Sequence, residues 1–242
     1  MKEKYIDLKE LITNAGNIVF FGGAGVSTES GIPDFRSTDG LYSMKFKYPP
    51  ETMVSYSFFI THTSDFYEFF RTKLVYPDAK PNKAHYALAE LEKQGKLSAV
   101  ITQNVDNLHQ EAGSNNVLEL HGSGKRYYCM ECNKDYTLET ILQAKDIPKC
   151  QCEGIIRPDV VLYEEALDQN VIEKSIAAIG KADVLIVGGT SLNVYPAAGL
   201  IRYFAGDSMV LINKTETPYD SSAKIIIRDP IGETLGAVVF GE

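Results

Sequence analysis

Short apolar runs alternate with longer amphipathic segments along most of the chain. The runs are rich in valine, isoleucine and leucine and are bounded by turn residues, as is typical of strands buried in a parallel sheet. They are Ile18–Phe21, Ala99–Thr102, Val117–Leu120, Val160–Leu162, Val184–Val187 and Val210–Ile212. Helical periodicity is found in Ile6–Ala15, Ala84–Gln94, Asn170–Ile179, Ala197–Phe204 and Glu233–Val239. This alternation predicts an α/β fold with a parallel sheet and helices on both faces.

Two stretches interrupt the alternation. Asp39–Pro81 is rich in aromatic residues and is predicted to be helical from Phe58 to Leu74, while Tyr127–Ile156 contains all four cysteines. We interpret both as insertions that form a smaller domain over the sheet. The predicted large domain therefore comprises residues 1–38, 83–126 and 157–242, and the small domain comprises residues 39–82 and 127–156.

The cysteine spacing indicates a metal site. Cys129-x2-Cys132 is followed after seventeen residues by Cys150-x-Cys152, which is typical of the two knuckles of a zinc ribbon. Four thiolates hold Zn²⁺ at about 2.3 Å and leave no open coordination position, so we expect a single structural zinc ion. The alternative is a group of buried or redox-active thiols.

Composition narrows the class of protein. The 242 residues are 44% hydrophobic and carry a formal net charge of −8, which argues against a nucleic-acid-binding protein. No apolar stretch approaches the roughly 18–20 residues that span a bilayer, and Met1–Leu11 lacks the apolar core of a signal peptide. We therefore expect a cytoplasmic protein without membrane association.

A glycine-rich loop follows the first predicted strand. Gly22, Gly23 and Gly25 would let the backbone approach a phosphate closely, although a plain glycine-rich turn is the alternative. The dehydrogenase fingerprint G-x-G-x-x-G is not met, because Thr28 stands where its third glycine would be. Ser30–Arg36 then continues as an irregular loop with an acid, an aromatic ring and a guanidinium group, which suggests that it covers a ligand.

Polar side chains follow two further strands directly. Gln103–Asp106 places amides and a carboxylate at the end of a buried strand, where a ligand or the cap of the next helix could use them. His121 follows the next strand and is a candidate general base, although a single histidine is more often structural. His62 and His85 lie in helical contexts, and His109 is better placed to hold the loop.

Taken together, these segments resemble the sirtuin family of NAD-dependent protein-lysine deacylases. The matching stretches occur in the family's order and cover most of the chain: Gly23–Ser27, Ser30–Arg36, Thr102–His109, Leu120–Gly122, the four cysteines, Gly189–Pro196 and Asn213. The resemblance implies a Rossmann-like sheet with a small zinc-ribbon and helical domain, and NAD as a consumed co-substrate. It also makes His121 the favoured catalytic base.

The resemblance implies a role for each matching residue. Residues along the NAD phosphates and the nicotinamide ribose would be Ala24, Thr28, Phe35 and Arg36, and Gln103 would contact the ribose. The nicotinamide pocket would comprise Ser27, Ile32, Asn104 and Asp106, and Asp34 and Val105 would be further cofactor-binding residues. The adenosine half would be held by Thr190, Ser191, Asn213, Lys214 and Ile231. Val161 and Leu162 would belong to the segment with which an acyl-lysine peptide pairs as an added strand.

The implied reaction releases nicotinamide from NAD. The acyl oxygen of the substrate lysine attacks the ribose carbon, and His121 removes a proton from a ribose hydroxyl so that the intermediate can collapse. The products would be deacylated lysine, nicotinamide and O-acyl-ADP-ribose. Protein mono-ADP-ribosylation on the same fold is the alternative activity, and an NAD-sensing module with a zinc scaffold is a non-enzymatic alternative. We expect a monomer that acts on acyl-lysine proteins or peptides.

Three departures from the family pattern bear on specificity. Gly22 stands where threonine is common, and Tyr163-Glu164-Glu165 replaces the usual Phe-Gly-Glu, so added negative charge would favour peptides with basic flanks. Members that prefer succinyl or malonyl lysine carry Tyr-x-x-Arg in the region of residues 41–51, which has no arginine here. We therefore expect neutral acyl groups, acetyl first, unless Lys45 or Lys47 replaces that arginine.

Overall fold

A computed structural model describes residues 2–35, 40 and 46–241, and the statements below concern those residues. Its strands, in chain order, are β1 (Ile18–Gly22), β2 (Leu97–Thr102), β3 (Val117–Glu119), β4 (Gly122–Cys129), β5 (Asp135–Tyr136), β6 (Ile156–Val160), β7 (Val184–Gly188), β8 (Ser208–Ile212) and β9 (Ile225–Ile227). Its α-helices are α1 (Glu3–Asn14), α2 (Pro50–Met53), α3 (Tyr56–Thr61), α4 (Thr63–Phe69), α5 (Lys83–Lys93), α6 (Leu108–Glu111), α7 (Leu138–Gln143), α8 (Gln169–Gly180) and α9 (Ile231–Phe240). Among the described helices, none combines the length and apolar character required to cross a bilayer.

Six strands form the large sheet, in the order β3-β2-β1-β7-β8-β9, and every neighbouring pair is parallel. Five of the six predicted strands lie in this sheet, so the predicted α/β fold with a parallel sheet is confirmed. The sixth strand of the sheet, β9, was not among the predicted strands. From β1 the chain order runs outward through β2 and β3 on one side and from β7 through β8 and β9 on the other, so the topological switch point lies between β1 and β7. In such sheets ligands bind at the switch point, at the carboxyl ends of the strands.

Helices cover both faces of this sheet, as predicted. On one face α1, α5 and α9 bury side chains such as Leu8, Leu88 and Leu235 against the strands. On the other face α8 and the segment Ala197–Tyr203 pack against the alternate strand residues. Ala197–Tyr203 is a 3₁₀ helix and not the α-helix that its apolar pattern indicated.

The prediction that Val160–Leu162 forms a strand of the parallel sheet is wrong. The strand is β6, which ends at Val160 and pairs antiparallel with β4 in a separate three-stranded sheet of order β5-β4-β6. A three-residue apolar run does not reveal its partner, and β4 begins Gly-Ser-Gly-Lys-Arg, which lacks the alternation of a half-buried strand. The small sheet thus includes residues on both sides of the 127–156 insertion, and the predicted domain boundaries stay a prediction.

The aromatic insertion and the cysteine insertion share one core. The helix predicted over Phe58–Leu74 is interrupted at His62, whose backbone leaves the helical region and whose ring stacks on Phe58 at 4.7 Å. Around this bend lie α3, α4 and a π-helical turn at Phe70–Leu74. Their buried rings contact side chains from the cysteine insertion, with Phe59, Phe66, Tyr67, Tyr127, Ile141 and Ile156 all fully buried. Helical and zinc-ribbon segments therefore stabilise each other.

Two histidines are buried side by side between α5 and α6. The rings of His85 and His109 lie 4.7 Å apart, and each residue is at most 1% exposed. Asn82 N–H donates to Nδ1 of His85, whereas neither ring nitrogen of His109 has a hydrogen-bond partner among the described residues. Burial lowers the pKa of His85 to about 4 and that of His109 to about 3. Both imidazoles are therefore neutral in the folded protein near neutral pH.

The buried pair predicts a loss of stability in mild acid. Below the pKa of an unfolded histidine, near 6.5, the unfolded chain binds protons that the two buried imidazoles of the folded chain do not bind. The free energy of unfolding then falls by up to about 1.4 kcal/mol per pH unit for each histidine, down to the folded pKa. Urea unfolding of wild type and His109→Leu between about pH 7 and about pH 5 measures the slope, which the variant should reduce.

His62→Gln is the matched control, because His62 is exposed in the bend between α3 and α4. Its slope should equal that of wild type. Equal slopes for wild type and His109→Leu would contradict the conclusion that burial lowers the pKa of His109.

Candidate functional site

The turns that follow β1 and β7 lie in backbone contact at the switch point of the sheet. Gly25 N–H donates to the Gly189 carbonyl at 2.8 Å, and Gly23 N–H donates to the Gly188 carbonyl at 3.3 Å. A Cβ on Gly25 would lie 2.7 Å from the Gly189 Cα, and Gly189 itself has a left-handed backbone with φ +59°. These glycines are required by the approach of the two turns, which form the floor of the crevice.

Two residues that the sequence analysis did not single out anchor the glycine-rich loop. The Asn82 side-chain amide donates to the Val26 carbonyl at 2.8 Å and to Ser30 Oγ at 3.0 Å, while its oxygen caps α5. The Glu29 carboxylate accepts a hydrogen bond from Gly232 N–H in the first turn of α9. Asn82 was detectable as an N-cap from its place before α5, but its contact with the loop depends on the fold.

Three residues predicted for the nicotinamide pocket lie together beside this loop. Ser27 Oγ donates to Asp106 Oδ2 at 2.6 Å, and the Asn104 side-chain amide donates to Ser27 Oγ at 3.1 Å. The other carboxylate oxygen of Asp106 accepts the Leu108 N–H at the start of α6. Asp106 therefore accepts a backbone N–H at the start of α6 and also belongs to the polar cluster, while the use of this cluster by a ligand stays a prediction.

Gln103 joins the ends of three strands. Its backbone N–H donates to the Gly22 carbonyl at the end of β1, and its side-chain amide donates to Thr190 Oγ1 after β7 at 3.0 Å. Its own carbonyl lies 2.9 Å from His121 Nδ1, after β3. Gln103 thus links the glycine-rich loop, the turn after β7 and the candidate base.

The hydrogen bond from His121 fixes the tautomer of its ring. A carbonyl oxygen only accepts, so Nδ1 carries the proton donated to Gln103, and Nε2 of the neutral ring keeps its lone pair. Burial lowers the pKa of His121, while the bond to the Gln103 carbonyl opposes that shift. The imidazole is therefore neutral near pH 7 and is suited to accept a proton at Nε2. The His121 carbonyl also accepts the Val161 N–H, which brings the candidate peptide segment beside the base.

The other predicted site residues that the structure describes lie in the loops after the strands of the large sheet or at the start of α9. Thr28 Oγ1 donates to the Gly25 carbonyl, and the Ile32 N–H donates to the Ser27 carbonyl, so both residues shape the loop. Half-buried positions in the loops after β1 and β2 include Ala24, Asp34, Phe35 and Val105. The ends of β7 and β8 and the start of α9 carry Thr190, Ser191, Asn213, Lys214 and Ile231. Arg36 falls outside the described residues.

Not every one of these side chains is free to reach a ligand. The side-chain amide of Asn213 donates to the Thr215 carbonyl at 2.9 Å, within its own loop. Ile231 is 4% exposed and packs beneath Gly188, where a Cβ would lie 2.3 Å from its Cδ1. Its side chain supports the turn after β7 from below.

The four cysteines form a metal centre at one end of the small sheet. The sulfur of Cys129 lies 3.4 Å from that of Cys152, and the sulfur of Cys132 lies 3.6 Å from that of Cys150. All four Sγ atoms lie within 4.8 Å of one another, which fits a tetrahedron of zinc–sulfur bonds of about 2.3 Å. The four cysteines are thus positioned to bind a structural metal ion, and their spacing fits the predicted zinc ion.

Comparison with known proteins identifies the family. The Sir2 family model matches residues 23–196. An NAD-dependent protein deacetylase of Clostridium acetobutylicum is 58% identical over 241 residues, which cover 98% of each chain. A solved Sir2 structure with NAD+ and a p53 peptide has a TM-score of 0.87 and 40% identity, and it covers 100% of this chain and 98% of its own.

A second solved Sir2 structure, a histidine-to-alanine variant, contains a deacetylated p53 peptide and 3′-O-acetyl-ADP-ribose. It has a TM-score of 0.90 and 40% identity over 100% of this chain and 98% of its own. The chain therefore belongs to the Sir2 family, the sirtuins, as its motifs indicated.

Zinc removal should unfold the small sheet before the large one. Metal binding holds the two cysteine knuckles together, so Cys132→Ser or a strong chelator should abolish zinc retention and lower the unfolding temperature. Zinc content by mass spectrometry and thermal unfolding measure the two effects. Lys134→Ala, an exposed change beside the first knuckle, is the control that should keep its zinc. A chelator-treated protein that lacks zinc but unfolds at the untreated temperature would contradict the structural role.

Proposed function

We propose that this protein is an NAD-dependent protein-lysine deacetylase that transfers the acetyl group to ADP-ribose and releases nicotinamide. The observation that carries the proposal is the neutral His121, which keeps Nε2 free, beside both a polar pocket and a peptide-pairing segment. The deacetylase name of the 58% identical relative supports the same activity. Bound NAD supplies an electrophilic ribose carbon and a leaving group.

The crevice at the switch point supports an assignment of the NAD subsites. Gly23–Val26 would approach the phosphates, and the turns after β7 and β8 would hold the adenosine half. Ser27, Asn104 and Asp106 would bind the nicotinamide carboxamide, because together they offer both donors and acceptors. Their mutual hydrogen bonds hold these groups in place before the ligand arrives, which favours one orientation of the amide.

His121 would act as the general base on a ribose hydroxyl. The Gln103 carbonyl holds the ring by Nδ1, so Nε2 is the only atom through which the neutral ring accepts a proton. Because Gln103 is also tied to Gly22 and Thr190, the base keeps its position relative to the glycine-rich loop.

Val161–Tyr163 would pair with the backbone of an acyl-lysine peptide. The N–H groups of Val161 and Leu162 are already bonded to the His121 carbonyl and the Glu165 carboxylate. The carbonyls of Leu162 and Tyr163 already accept the N–H groups of Glu165 and Tyr56. An added strand would therefore pair through the Val161 carbonyl and the second lone pairs of the other two, with N–H donors from the substrate. This pairing would deliver the acyl-lysine side chain to the neighbourhood of His121.

The expectations from the sequence about oligomeric state, location in the cell and nucleic-acid binding are part of the same proposal. We propose that the enzyme acts as a monomer in the cytoplasm and does not bind nucleic acid. The net charge of −8 supports the last point, because phosphate binding needs a basic surface.

His121→Ala should abolish deacetylation and leave NAD binding intact. Loss of a general base reduces the rate by about 10²–10⁴-fold, whereas the NAD subsites do not depend on this side chain. Nicotinamide release with an acetyl-lysine peptide measures the rate, and calorimetry measures NAD binding. His62→Gln serves as the control, since His62 lies on the helical insertion. Retained turnover in His121→Ala would remove it from the mechanism.

Acetyl-lysine peptides should be turned over faster than succinyl-lysine peptides of the same sequence. Lys47, one candidate for a carboxylate-binding cation, instead pairs with Asp65 at 3.2 Å. Lys45 lies outside the described residues. Matched peptides compared by kcat/KM test this preference, and faster succinyl turnover would contradict it. Labelled NAD separates the alternative activity, because mono-ADP-ribosylation leaves the label on protein.

A further inference from the structure

The turn after the peptide-pairing segment contains a residue in an unusual backbone conformation. Glu164 has φ +77°, in the left-handed region that side-chain-bearing residues rarely adopt. Glycine, which has no Cβ to clash there, is the usual family residue at this place. Such a conformation persists only where surrounding contacts stabilise it.

Glu164 makes those contacts with Ser57, in the first turn of α3. One carboxylate oxygen accepts the Ser57 N–H at 2.9 Å, and the other accepts the Ser57 hydroxyl at 2.9 Å. Backbone bonds lie beside this pair, since Tyr163 N–H donates to the Val54 carbonyl and Tyr56 N–H donates to the Tyr163 carbonyl. The turn is thus joined to the helical insertion by both side-chain and backbone hydrogen bonds.

Glu165, the next residue, fastens the same turn to the small sheet. Its carboxylate forms a two-pronged ion pair with Arg157 of β6, with N–O distances of 2.8 and 2.9 Å. It also accepts the Leu162 N–H at 2.8 Å. The two adjacent glutamates therefore point in different directions, one to β6 and one to α3, and fix the turn between them.

We propose that Glu164 is a positioning residue for the acyl-peptide substrate. Its two hydrogen bonds with Ser57, called the clamp below, hold Val161–Tyr163 in the conformation that pairs with the peptide. This inference rests on the proposed function and deepens it. Hydrogen bonds from Ser57 orient the carboxylate without cancelling its negative charge, so an effect of that charge on basic peptide flanks is the competing explanation. The sequence-based expectation of charge-driven selectivity at this position stays a prediction, and the variants below distinguish it from the clamp.

The clamp has a kinetic consequence that separates it from a general role in stability. A segment that is already ordered does not lose conformational freedom when the peptide binds. Without the clamp, the segment becomes ordered only when the peptide binds. The conformational freedom lost at that step weakens binding, so KM for the peptide rises. The NAD crevice is built from the large sheet, so KM for NAD stays at the wild-type value. The kcat at saturating peptide also stays close to wild type.

Three variants distinguish the clamp from a charge effect. Ser57→Ala and Glu164→Gly break it, and each should raise the peptide KM and the peptide Kd about fivefold, the loss expected for a net hydrogen bond. Their double mutant should be no worse than either single mutant, because both remove the same interaction. Glu164→Gln removes the charge but can still accept the Ser57 N–H and donate to its hydroxyl, so it should rescue peptide binding.

Glu153→Gly is the matched control for replacing glutamate by glycine in a left-handed turn. Glu153 has φ +67° and an exposed side chain in the second cysteine knuckle, away from Ser57. This variant should leave the peptide KM unchanged. It shows what the glycine substitution does to the unfolding temperature by itself.

The outcomes separate the clamp from the proposed activity. Peptide Kd is measured by fluorescence anisotropy with a labelled acetyl-lysine peptide, so it does not require turnover. Wild type that binds the peptide but releases no nicotinamide would refute the proposed function and still test the clamp. If Glu164→Gln weakens binding as much as Glu164→Gly while Ser57→Ala does not, the carboxylate acts by charge and the clamp is overturned. A wild type that fails to bind the peptide overturns both proposals.

Discussion

The backbone contact between the Gly25 turn and the Gly189 turn is the constraint on which the crevice depends. Two parallel strands, β1 and β7, end side by side at this point, and their turns meet closely enough to exclude a Cβ. The contact leaves Gln103, Thr190 and Ser27 around one opening, although they come from different parts of the chain. A side chain at Gly25 or Gly189 would separate the turns and widen the site.

Within that crevice, polar groups are held by one another before any ligand arrives. Ser27, Asn104 and Asp106 form one cluster, and Gln103 connects it through the backbone to His121. In a partly desolvated site such fixed groups interact with a ligand more strongly than they would in water. Because Nδ1 of His121 is committed to a carbonyl, the ring presents a single basic atom.

The aromatic helices and the cysteine insertion together stabilise the side of the site where the candidate peptide segment lies. The zinc centre and the aromatic helices share a core, and Leu162 of the peptide-pairing segment is buried in that same core. Glu164 and Glu165 then attach the following turn to α3 and β6. The metal-binding cysteines therefore share a packed core with Leu162, beside the turn that the two glutamates hold.

The sequence by itself determined the α/β class, the strands Ile18–Phe21 and Val184–Val187, and the metal role of the cysteines, because local periodicity and ligand spacing carry that information. It also placed Ser27, Asn104, Asp106 and His121 at strand ends. Only the tertiary structure decided that β6 pairs with β4, that Asn82 anchors the glycine-rich loop and that Glu164 reaches Ser57. These contacts join residues far apart in the chain, and no short-range pattern encodes which distant partners the fold brings together.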